Sequence, residues 1–82
     1  MSLPEIRTLR ELGLSQLWRE AESLGSIEVR QQSWRERLYM VEITFNRSSG
    51  TRIHAIGRNP DICFALSDAI NEAREMGAGA PA

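Results

Sequence analysis

The residue types able to do chemistry are few. The chain has one histidine, His54, and one cysteine, Cys63. Alternation along residues 37–45 and 51–56 sets Glu42 opposite His54 across a hairpin. A carboxylate beside an imidazole can pass a proton. No serine, cysteine or second acid stands where it would complete a nucleophilic set. The plainer reading is a surface pair that steadies the hairpin slightly. Cys63 with His54 would supply two metal ligands where a closed zinc site takes four. A small buried apolar residue accounts for Cys63 equally well. No catalytic set, metal site or cofactor is expected, and the chain reads as non-enzymatic.

Binding chemistry is better represented. Trp34 falls in an expected loop between Arg30 on one side and Arg35 and Arg37 on the other. Tryptophan and arginine are enriched at binding hot spots, and an aromatic among arginines also stacks on bases. The alternatives are that Trp34 folds back onto the core, or that Arg35 and Arg37 pair with Glu36 and Glu28. Leu38, Met40 and Ile56 alternate onto a sheet face shared with Glu42, Thr44, Arg52 and His54. An apolar patch with a polar rim often marks a contact surface. Residues 2–12 wrapping over that face would remove it. Arg58, just before the last helix, could hold an anion at the positive helix end, although Asp61 stands in the same field.

Elements of ordinary kind must position these residues. At 82 residues there is room for one domain and a short tail. Such a chain buries roughly 60% of its unfolded surface, so its core is thin. A hydrophobic fraction of 41% against 26% charged is that of a folded domain rather than a disordered one. The net charge of −1 counts against a protein devoted to phosphate backbones. All basic residues are arginine. A lone cysteine excludes an internal disulfide. No stretch approaches the roughly 20 apolar residues of a membrane helix, and no signal-peptide pattern opens the chain. A cytoplasmic protein without membrane association is expected.

Residues 2–24 read as helix, with Ile6, Leu9, Leu17, Ala21 and Leu24 on one stripe and Leu14 on its flank. Ser2 and Glu5 fit a capping box, and Gly25 supplies a stop. Gly13 either splits the segment into two helices, with Ser15 capping the second, or sits on the packing face and allows close approach. Residues 26–31, 37–45 and 51–56 read as strands. A loop over 46–50 sets Ile43 opposite Ile53, Val41 opposite Ala55 and Met40 opposite Ile56. A loop over 32–36 sets Val29 opposite Tyr39. Residues 59–76 read as helix, with Asn59 as N-cap, Pro60 in the first position and Gly77 as terminator. Ile62, Ala65, Leu66, Ala69, Ile70, Ala73 and Met76 form its stripe. The expected fold is α+β: an N-terminal helix, a three-stranded antiparallel meander and a C-terminal helix. Both helices lie on the face carrying Tyr39, Val41, Ile43 and Phe45. The domain is expected over 1–77, with a flexible tail at 78–82.

This α-β-β-β-α order, with Ile56-Gly57-Arg58-Asn59-Pro60-Asp61 leading into Ala65, Ala69 and Ala73, resembles the double-stranded RNA-binding domain over residues 5–76. The strand-Gly-x-Asn-helix element is also similar to small antitoxins of the HicB type. The RNA-binding resemblance implies a first β-β loop that enters a minor groove, here with Gln32, Ser33 and Arg35 as contacts. It also implies basic residues at the start of the last helix that straddle phosphates. Arg58 alone fills that role here, beside Asp61.

Two functions follow as expectations. The first is an interaction module, of the kind found among bacterial and phage accessory proteins. It would bind a protein partner or a second copy through Trp34, Arg35, Arg37, Leu38, Met40 and Ile56. The second is an RNA- or DNA-binding domain using Gln32, Ser33, Arg35 and Arg58, helped by Arg7, Arg10 and Arg19. Segregation of arginines onto a face free of carboxylates would favour the second.

Overall fold

A computed structural model describes residues 13–33 and 37–79. Helix α1 spans Leu14–Glu22, strand β1 Ser26–Ser33, strand β2 Leu38–Asn46, strand β3 Arg52–Asn59 and helix α2 Ile62–Glu75. The strands form one antiparallel sheet in the order β1-β2-β3. The fold is α+β, with both helices packed on one face of the sheet.

That face is set by strand alternation. Val41, Ile43 and Ala55 are fully buried and Phe45 nearly so. Leu17 and Ala21 of α1, and Ala65, Leu66, Ala69, Ile70 and Ala73 of α2, close over them. Full burial of Leu17, Val41, Ile43, Leu66 or Ile70 stabilises the fold by roughly 1.5–3 kcal/mol each relative to exposure. Leu14 stays on the flank of its helix, 42% exposed. The expected Ile6 and Leu9 positions lie outside the described residues.

Several boundaries differ from the sequence expectation. Gly13 is the N-cap of α1, in extended backbone, and a side chain there would meet nothing within 4 Å. It therefore neither packs closely against a neighbour nor leaves Ser15 as the cap. The Gln16 side chain accepts from the Gly13 amide. Residues 2–12 lie outside the described part of the chain.

Both strand registers are displaced by two residues from expectation. Phe45 faces Ile53, Ile43 faces Ala55, Val41 faces Gly57 and Met40 faces Arg58. On the other side Ile27 faces Ile43 and Val29 faces Val41. A shift of two leaves every side chain on its own face, because the strand period is two. The turn explains the displacement between β2 and β3. The Arg47 amide donates to the Thr51 carbonyl, and the Gly50 amide donates to the Arg47 carbonyl. Gly50 has φ of +89°, so a tight turn closes through a left-handed glycine, one residue later than the expected loop.

Strand β3 also runs through Gly57, Arg58 and Asn59 instead of stopping at Ile56. A Cβ on Gly57 would lie 2.1 Å from the Ala65 carbonyl oxygen and 2.6 Å from the Ala69 nitrogen. The glycine thus lets helix backbone lie directly on the strand. The N-cap of α2 is Asp61, not Asn59. An Asp61 carboxylate oxygen accepts from the Cys63 and Phe64 amides at 2.8 and 3.2 Å. Asn59 instead accepts from the Asp61 amide, shaping the turn before the helix. At the other end Gly77, φ +103°, donates to the Arg74 carbonyl, and Ala78 donates to Ala73. Gly77 ends the helix as expected, and packing continues beyond it to Ala78, which is buried.

Candidate functional site

The helices cover one sheet face, so the other is the natural place to look for a site. Its central row is the outward-pointing half of β2: Leu38, Met40, Glu42 and Thr44, all half-buried. Register gives each a pair of neighbours. Met40 lies between Arg30 and Arg58, Glu42 between Glu28 and Ile56, and Thr44 between Ser26 and His54. Ile56 is half-buried. The apolar residues of this face are therefore Leu38, Met40 and Ile56, with Met40 and Ile56 diagonal rather than directly opposed.

The charges interleave. Glu28 and Glu42 face each other across β1 and β2, a like-charge opposition that is unfavourable. Each finds a basic partner. Glu28 pairs with Arg30 at 2.5 Å, both exposed, and Glu42 lies 3.2 Å from Nδ1 of His54. The Thr44 hydroxyl lies 3.2 Å from the same nitrogen. This resembles a hydroxyl-imidazole-carboxylate set in composition but not in geometry. A relay uses the two ring nitrogens, one for each neighbour. Here one nitrogen serves both. The Glu42–His54 proximity expected from sequence is present, reached along the diagonal instead of directly across.

Arg37 is exposed at the start of β2 with φ of +49°. Gln32 and Ser33 belong to the end of β1, past an irregularity between Gln31 and Ser33, so the expected 32–36 loop starts later. Trp34 and Arg35 lie outside the described residues, as do Arg7 and Arg10. Arg58 is a strand residue on the outer face, not a side chain at the mouth of α2. The amides at that helix start are met by Asp61. Cys63 is half-buried against the core. Among the described residues no group of three or more histidine, cysteine, aspartate or glutamate side chains could hold a metal ion. No helix there is long and apolar enough to cross a membrane.

Charge divides between the two layers. Among the described residues, the sheet and its flanking turns carry Arg30, Arg37, Arg47, Arg52 and Arg58 against Glu28 and Glu42. The helices and their caps carry Arg19 and Arg74 against Glu20, Glu22, Asp61, Asp68, Glu72 and Glu75. Arg47 lies on the helix side, where its Nε donates to the Met76 carbonyl at 2.9 Å. Arg52 stands on this face as expected, whereas Arg30 was missed as one of its residues, although the parity of β1 would have placed it outward. Phe64, 44% exposed on the first turn of α2, was also missed. A depression between the hairpin turn and the end of α2, lined by Thr44, Arg47, Ser49 and Met76, contains none of the predicted site residues.

No family model, curated protein or solved structure matches this chain.

Proposed function

We propose that the chain is a non-enzymatic interaction module that binds a protein partner through the outer face of its sheet. The observation that carries this reading is the half-buried group Leu38, Met40 and Ile56, which no described element covers and which Arg30 and Arg58 border on either side of Met40. An apolar centre with an arginine rim suits a partner presenting apolar side chains among carboxylates. The second expectation, RNA or DNA, draws support from the arginine excess on the sheet side. Glu42 in the middle of that face and Glu28 beside it count against it, and so does the Asp61 carboxylate on the helix amides where a phosphate would sit.

The test places a photo-cross-linking amino acid at Met40, and at Asp68 on the opposite side as control, in cells that make the protein. A protein adduct formed from Met40 alone, and abolished by Ile56→Asp with the fold retained by circular dichroism, is the expected result. A nucleic-acid adduct from Met40, or equal yields from both positions, overturns the proposal.

A further inference from the structure

We infer that two copies of the chain join through β1, edge to edge, to make one continuous sheet. This rests on the strand edge and goes beyond the outer-face reading, with which it shares Arg30.

The hydrogen-bonding phase of the sheet can be followed from the turn. Arg47 bonds back to Thr51, and bonded pairs alternate along an antiparallel ladder. The pairs Phe45–Ile53, Ile43–Ala55 and Val41–Gly57 are therefore bonded pairs, and odd-numbered residues of β2 direct their amides and carbonyls to β3. Even-numbered residues direct theirs to β1. Gly25 corroborates this phase, since a Cβ placed there would lie 2.2 Å from the Thr44 carbonyl oxygen. In β1, Ser26, Glu28 and Arg30 then bond to Thr44, Glu42 and Met40. Ile27, Val29 and Gln31 turn their amides and carbonyls outward. Among the described residues β1 has a neighbouring strand on one side alone. An edge of this kind is a template for another strand.

The side chains select the occupant. A second copy added antiparallel about a two-fold axis at Val29 bonds Val29 to the partner's Val29 and Ile27 to the partner's Gln31. Between those bonded pairs, Glu28 falls opposite the partner's Arg30, and Arg30 opposite the partner's Glu28, so the ion pair that the two residues make within one chain is extended or exchanged across the axis. These are non-bonded positions, where side chains approach most closely. Axes at Glu28 or Arg30 oppose like charges instead, so the Val29 register alone is self-complementary. The β3 edge lacks this property. There a two-fold register about Ala55 would set Arg52 against the partner's Arg58, and Pro60 follows directly.

The core side of the seam is also suited to closure. Ile27 and Val29 are half-buried, and Trp18 and Ile27 line a cleft between α1 and β1. The two-fold axis separates Ile27 from the partner's Ile27 by four residues along the strand. That is about 13 Å at the rise of an extended chain, more than the roughly 10 Å diameter of a helix. The two α1 helices thus have room at opposite ends of the seam.

The test is sedimentation velocity over a hundredfold range of concentration. The variants are Glu28→Arg, Arg30→Glu and the double swap, each checked for folding by circular dichroism. Both residues are exposed, so the single variants keep the fold. Wild type is expected to dimerise. Each single variant opposes like charges and weakens self-association at least about tenfold. The double swap dimerises again. An equimolar mixture of the two single variants also regains dimer mass, because one edge then presents two positive charges to two negative charges on the other. A wild type that stays monomeric throughout overturns the inference. So do dimers that persist in both single variants, and a mixture that fails to re-associate.

Discussion

Replacing Gly57 by alanine adds one methyl group where β3 carries the backbone of α2. The added carbon would sit 2.1 Å from the Ala65 carbonyl oxygen and 2.6 Å from the Ala69 nitrogen. Carbon makes comfortable contacts at roughly 3.5–4.0 Å, so the helix must withdraw by about 1 Å or more. Both obstructing atoms are backbone, and no side-chain rotation relieves them. Overpacking of this kind costs about 1–3 kcal/mol, and the expected loss lies at the upper end. In a domain of this size each kcal/mol moves the melting temperature by roughly 4–8 °C, so a fall of about 10–20 °C is expected. Gly50→Ala is the matched control. Gly50 has φ of +89° but open space around it, so its cost is the left-handed backbone alone, about 1 kcal/mol. Urea and thermal melts of both variants decide the matter. A Gly57→Ala protein within about 0.5 kcal/mol of wild type, or less damaged than Gly50→Ala, would refute the claim that helix and strand backbones touch there.

The helix start offers a second prediction. Asp61→Ala removes the acceptor of the Cys63 and Phe64 amides and is expected to cost about 1 kcal/mol in urea melts. Asp61→Asn keeps the acceptor and should lose much less, whereas Asn59→Ala, expected from sequence to be the damaging change, should be the milder of the two alanine variants.

Faces of the sheet were legible in the sequence because alternation is a property of each strand alone. Val41, Ile43 and Ala55 could be assigned to the core without knowing their partners. Register depends on the turn, and Asn46-Arg47-Ser48-Ser49-Gly50-Thr51 admits closure one residue earlier or later. Only the left-handed Gly50 decides between them. That single choice moves His54 from Glu42 to Thr44 and Ile56 from Met40 to Glu42. It splits the expected contiguous patch into a diagonal one while leaving the core intact. At the strand end, Gly57 reads as a breaker by composition. It belongs to the strand because of a helix that follows it, and no local pattern carries that information. Asn59, Pro60 and Asp61 are all suited to a helix start, and the geometry of the turn, not residue preference, makes Asp61 the cap. The outward place of Arg30 follows from the parity of β1, not from its nearness in sequence to Trp34.

The pairing of α1 has a consequence for how the chain comes together. Each strand pairs with its neighbour in sequence, and α2 lies on the strand that immediately precedes it. Helix α1 is different, since its Glu20 meets Arg74 of α2, 54 residues away. Closing the longest loop carries the largest entropic cost, so that contact is expected to form last. The described domain is therefore expected to assemble from its C-terminal side. In native-state amide exchange, Ala21 and its helical neighbours are expected to open at lower free energy than Ile43 or Ile70. Equal protection of α1 and α2 would instead mean that the domain opens as one unit. Helix α1 precedes every other described element in the chain yet is expected to be the last of them to find its place, and its apolar stripe waits on almost the whole of the described domain.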